Sequence, residues 1–111
     1  MDLHQVQDFF NATVDTERLK QETIDSLQLY LKNQDLLHEF AEYLPANCTG
    51  NDLYAEYRDT VLYLNRTFET PPKIRVRYFV KDKIDHKVRL HFDMDFDSDG
   101  EHIDEYLFEA N

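Results

Sequence analysis

Apolar residues recur along this chain at two different periods, and the change falls at Pro71-Pro72. Upstream the spacing is helical. Leu3, Val6 and Phe10 predict a short helix, and Asp15 or Thr16 followed by acidic Glu17 marks the start of a longer one. Leu19, Ile24, Leu27 and Leu31 give that helix an apolar stripe to about Lys32, where Asn33-Gln34 bends or ends it. Leu36, Leu37, Phe40, Ala41 and Leu44 carry the pattern to Pro45, which stops it because proline has no amide to donate. Residues 46–51 read as a loop. Asn51 then caps a predicted helix whose face is Leu53, Tyr57, Val61, Leu64 and Phe68.

From Lys73 the period becomes two. Ile74, Val76, Tyr78 and Val80 alternate with Lys73, Arg75, Arg77, Phe79 and Lys81, and Val88, Leu90, Phe92, Met94 and Phe96 alternate with mostly charged neighbours. Two strands are expected, each with one buried and one solvated face, joined through Asp82 to His86. A turn at Asp97-Ser98-Asp99-Gly100, with the glycine left-handed, leads into a third strand from about His102 to Glu109. That strand would set Tyr106 and Phe108 beside Phe92 and Leu90. A short helix is the competing reading, since Ser98 and Glu101 have capping-box spacing. If Lys81 opposes Lys87, Arg75 faces Asp93 and Lys73 faces Asp95. The expected fold is α+β in one domain, 1–111: three to four helices (residues 1–70) packed on one face of a three-stranded antiparallel meander (residues 73–109). Its core should join Ile74, Val76, Tyr78, Leu90, Phe92 and Met94 to Leu27, Leu31, Tyr57 and Val61.

Charge changes the picture more than composition does. Residues 1–70 carry 5 basic and 13 acidic side chains, residues 71–90 carry 7 and 2, and residues 91–111 carry 8 acidic and none basic. The formal net charge of −11 argues against direct binding to nucleic acid or to an anionic membrane. No apolar run approaches the ~20 residues of a spanning helix, and no basic-then-apolar leader opens the chain. One cysteine, Cys48, fits a reducing, cytoplasmic setting and allows no intrachain disulfide. With only Gly50 and Gly100, the chain has neither a dinucleotide-binding nor a Walker-type phosphate loop. Ser26 and Ser98 lack the glycines of a nucleophile elbow.

Three clusters have chemistry-bearing residue types. Asp95-Phe96-Asp97-Ser98-Asp99-Gly100 matches the opening of a calcium loop, but position 12 is Tyr106 and Glu105 comes one residue early. His38-Glu39-Phe40-Ala41-Glu42 lacks the second histidine of a zinc-protease helix. Cys48 has no base that the sequence can locate. No enzyme, cofactor or metal is expected.

The carboxylates form rows. Asp35, Glu39 and Glu42 fall at i, i+4 and i+7 on a helix, and Asp52, Glu56 and Asp59 repeat that spacing on the next. On a strand, Asp93, Asp95 and Asp97 would point one way about 6.7 Å apart. Asp97, Asp99, Glu101, Asp104, Glu105 and Glu109 have no basic sequence neighbours. Rows of this spacing can stand in for backbone phosphates, although acidic residues on amphipathic helices also form an ordinary solvated face. With acidic runs such as Asp93-Met94-Asp95-Phe96-Asp97-Ser98-Asp99 and its net charge, the chain resembles small bacterial and phage DNA-mimic proteins. The resemblance implies a partner among basic DNA-binding proteins: a histone-like protein, a nuclease or a restriction enzyme. The contact set would be Asp35, Glu39, Glu42, Asp52, Glu56, Asp59, Asp93, Asp95, Asp97, Asp99, Glu101 and Glu105. The alternative is an immunity protein that neutralises a cognate nuclease toxin. A monomer or small homo-oligomer is expected.

Overall fold

A computed structural model of the chain describes residues 15–64 and 72–110. The predicted helix over Leu3 to Phe10 lies outside the described residues. The first described helix, α1 (Thr16–Lys32), begins where Asp15 Oδ1 accepts hydrogen bonds from the amides of Glu17 and Arg18, at 3.1 and 3.2 Å. Its buried stripe is Leu19, Thr23, Leu27 and Leu31, four residues apart throughout. Thr23 can sit in an apolar stripe because its hydroxyl donates to Leu19 O at 2.7 Å. Asn33 breaks the helix and caps α2 (Gln34–Glu39), accepting from the Leu36 amide at 3.2 Å. The predicted run to Leu44 therefore shortens: after Glu39 the chain tightens into a 3₁₀ turn, Ala41–Tyr43, before Pro45.

Phe68, on the expected face of the helix predicted after Asn51, lies outside the described residues. Over the described residues 53–63 that helix does not form. In its place runs an eleven-residue strand, β1 (Leu53–Tyr63), followed by β2 (Lys73–Asp82), β3 (Val88–Asp97) and β4 (His102–Glu109). They form one antiparallel sheet in the order β1-β2-β3-β4. The described fold is thus two helices on a four-stranded meander, not three to four helices on three strands. The cause is a β-bulge. Tyr57 pairs with Tyr78 and Asp59 with Arg77, so Arg58 is an extra residue and the side-chain parity flips there. Inward positions become 53, 55, 57, 60 and 62, an irregular series in which i, i+4 spacings imitate a helix. The tyrosines at 54, 57 and 63, with Thr60 and Val61, suit a pleated surface better than a helix.

Two further expectations need correcting. Across the second hairpin Arg75 pairs with Asp95, Lys73 with Asp97 and Arg77 with Asp93, a slip of two residues from the expected register. The loop and a bulge at Arg89, between the Lys81/Val88 and Val80/Leu90 pairs, contribute one residue each. Beyond the bulge the even slip leaves the side chains on their predicted faces, whereas Val88, expected inward, lies opposite Lys81 on the outer face. In β4 the parity is opposite to that expected. Leu107 pairs with Phe92 and Glu109 with Leu90, which puts Tyr106 and Phe108 on the far face beside Asp93 and His91.

The core lies between α1 and the inner sheet face. Leu19, Leu27, Val76, Val80, Leu90, Phe92 and Phe96 are fully buried, and Ile74, Tyr78 and Met94 nearly so. Tyr57 and Val61 do not join it: Tyr57 is 40% exposed, and Val61 pairs with Arg75 on the outer face. Both glycines are required by geometry. A Cβ on Gly50 would fall 1.9 Å from Leu31 O, so only glycine lets the loop pass beneath the end of α1. Gly100 has φ 82°, the left-handed turn conformation.

Candidate partner-binding surface

No described helix covers the outer face of the sheet. Charged side chains from β1, β2 and β3 interlock there. The Arg75 guanidinium grips Asp95 in a two-pronged pair, 2.7 Å from Nε to Oδ1 and 3.0 Å from Nη2 to Oδ2, and Lys73 Nζ lies 3.1 Å from the same carboxylate. Asp95 is only 1% exposed. Burial raises its pKa, but the bonds from Arg75 and Lys73 outweigh this and hold it below the ordinary aspartate value. Next in the row, Arg77 binds Asp59 through two 2.6 Å hydrogen bonds, and Lys81 pairs with Glu56. Asp93, 6% exposed, is less well served: its one ion-pair distance among the described residues is 4.0 Å, to Arg75 Nη1. Burial pushes its pKa up.

Aromatic rings fill the gaps between these charges. The Arg75 guanidinium lies 5.0 Å from the Tyr63 ring centre and 5.2 Å from that of Tyr106. His91 packs between Phe79 and Phe108, at 5.7 and 5.2 Å, and burial lowers its pKa. Its Nδ1 is buried with no hydrogen-bond partner. Sequence reasoning missed this aromatic set, although one signal was present: Phe79 and His91 occupy the polar positions of an otherwise strict alternation.

The twelve predicted contact carboxylates therefore separate. Glu56, Asp59, Asp93 and Asp95 belong to the sheet's own charge lattice. Asp52 is used locally, accepting from the Thr49 amide at 2.8 Å, and the contact with Thr49 lowers its pKa. Asp97 organises the β3–β4 turn: its Oδ1 accepts from the Asp99 and Glu101 amides at 2.9 and 3.0 Å. The calcium-like run is thus divided between an ion pair at Asp95 and a turn at Asp97.

Asp35, Glu39, Glu42, Asp99 and Glu101 are exposed, and Glu105 is partly so. Several lie close together. Tyr43 feels the charge of both Glu42 and Glu109, which raises its pKa, and Tyr30 is raised by burial and by a hydrogen bond to Glu105. Glu101, Glu105 and Glu109 thus follow the free edge strand β4 toward the end of α2. Among the described ion pairs, none involves a carboxylate from Asp97 onward.

Other chemistry finds less support. A concavity of about 340 Å³ beside α2 is lined by residues that include Leu37, His38, Leu44, Asn47 and Cys48. Burial, then Asp52 and Asp82, raises the Cys48 pKa, which keeps the sulfur a protonated, weak nucleophile. Among the described residues, no three His, Cys, Asp or Glu side chains are placed to hold a metal, and no helix is long and apolar enough to cross a membrane. Comparison with protein-family models, curated proteins and solved structures returns no match to this chain.

Proposed function

We propose that this is a non-enzymatic, cytoplasmic binding protein whose acidic edge occupies the basic site of a DNA-binding protein, such as a histone-like protein, nuclease or restriction enzyme, in place of DNA. One observation carries the reading: residues 97–110 contain six acidic and no basic side chains, and none of the six enters a described ion pair. Like charges held along one edge repel one another, and a complementary basic surface relieves that repulsion while steering association. Asp35, Glu39 and Glu42 extend the acidic surface at α2.

The immunity-protein reading draws on a second observation. Glu56, Asp59 and Asp95 are neutralised internally, so the free carboxylates concentrate on the β4 strip and the adjoining α2, a limited surface suited to covering a single basic active site. Affinity capture from a native lysate, followed by salt titration and DNA competition with the purified partner, tests both. Mimicry requires binding that weakens steeply with salt, is displaced by duplex DNA and falls on Asp99→Asn, Glu101→Gln and Glu105→Gln substitution. Tight binding to one nuclease that ignores moderate salt and DNA would replace it with the immunity reading.

A further inference from the structure

We propose that the outer sheet face, the one turned away from α1 and covered by no described helix, is where two copies of this chain pair. The argument is independent of the acidic edge and begins with charge. On a chain of net −11, this face is close to balanced: its cations Arg58, Lys73, Arg75, Arg77 and Lys81 meet six carboxylates, Glu56, Asp59, Asp93, Asp95, Asp97 and Asp104. A nucleic acid gains nothing from such a face, and a basic protein is not steered to it. A second copy meets it with little like-charge repulsion, since Glu105 and Glu109 sit on the opposite face. Asp104, the β4 carboxylate on this one, falls in the row Val61, Arg75, Asp95 and Asp104, and a two-fold axis between β2 and β3 sets it over Val61 of the other copy.

The charges are also striped. The outer side chains of β2 are cationic and those of β3 anionic, apart from Phe79, Val88 and His91. A two-fold axis running between these strands, parallel to them, lays β2 of each copy over β3 of the other. Rows of paired residues then overlie themselves in reverse order. The row Asp59, Arg77, Asp93 and Tyr106 puts Arg77 above the partner's Asp93, the carboxylate held at 4.0 Å from its nearest cation. The row Glu56, Phe79, His91 and Phe108 stacks Phe79 over the partner's His91. An axis perpendicular to the strands would instead set cations against cations. Facing sheets pack about 10 Å apart, and four strands of this length cover roughly 600 Å² in plan. Side-chain relief brings that toward the ~800 Å² per partner of a standard interface.

Sedimentation and light scattering of the full chain test the proposal. The expected mass is twice 13.4 kDa for the native chain and 13.4 kDa for Tyr106→Asp and Phe108→Asp, with unchanged far-ultraviolet circular dichroism. A native chain that stays monomeric at sub-millimolar concentration overturns the proposal, as does a dimer indifferent to both substitutions. Should the aspartate variants unfold, a Glu56→Cys/Phe108→Cys double variant on a Cys48→Ser background decides. Within one chain these positions sit three strand spacings apart, about 14 Å. Across the proposed axis they face each other. A short bis-maleimide that spans the ~10 Å between facing sheets should give a covalent dimer, and failure to do so rejects the arrangement.

Discussion

The centre of the outer sheet face and its β4 rim both contain carboxylates, in opposite physical states. In the centre, every β2 cation has a carboxylate partner on a neighbouring strand, and Asp95 is sealed beneath Arg75 and Lys73. Along the rim, Asp99, Glu101, Glu105 and Glu109 enter no described ion pair. Acidic content alone does not make a binding surface. What matters is whether the neighbouring strand supplies the counter-charge. The centre uses its charges to hold register, since a strand slip would place Asp95 away from the guanidinium that compensates its burial. The rim keeps its charges available to another molecule.

Breaking the central lattice should have the largest effect. Asp95→Ala leaves the Arg75 guanidinium without its two-pronged partner and is expected to cost about 3 kcal/mol in urea unfolding. A loss below ~0.5 kcal/mol would mean the centre is as expendable as the rim. Asp59→Asn should cost less, about 1 kcal/mol, because this pair is more exposed to solvent.

The two buried aspartates should respond to pH in opposite directions. Asp95 is held below its usual value, so its stabilisation is complete above the unfolded pKa of ~3.9 and drains as pH falls through the lower folded value. Asp93 is pushed above that value by burial, so the fold favours its protonated form. Its contribution is full below ~3.9 and is lost as pH rises through the folded pKa. Asp93→Asn should therefore raise the melting temperature at neutral pH, with the gain disappearing in acid. A fall at neutral pH would mean that Asp93 is compensated like Asp95. The smallest stability effect belongs to the rim: Asp99→Asn, Glu101→Gln, Glu105→Gln and Glu109→Gln should each shift stability by under about 0.5 kcal/mol, with any shift toward greater stability. A larger loss would show that these carboxylates serve the fold.

Legibility followed the regularity of the pattern. Strands β2 and β3 keep unbroken alternation through the positions that matter for the core, and the six inward residues expected there are buried. Helix α1 was marked by Asp15, its apolar stripe and the Asn33 break. Strand β1 hides from the pattern because Arg58 adds a residue in mid-strand, and β4 presents the face opposite to its expected one because a bulge shifts the register between the Asp95/Asp104 and Phe96/His102 pairs. The contact carboxylates were legible as acidic residues but not as paired or free, since that depends on which strand lies alongside.

The amino-acid sequence by itself determined the charge imbalance, the period-two strands, the α1 stripe and the positions where the chain must turn, because each follows from interactions among near neighbours. Only the tertiary structure decided that residues 53–63 form an edge strand, that Asp59 and Asp95 are taken up by Arg77 and Arg75, and that the β4 carboxylates are left without ion pairs among the described residues. Those outcomes depend on bulges and on partners 18 to 20 residues away, and a bulge flips parity without changing the identity of a single residue.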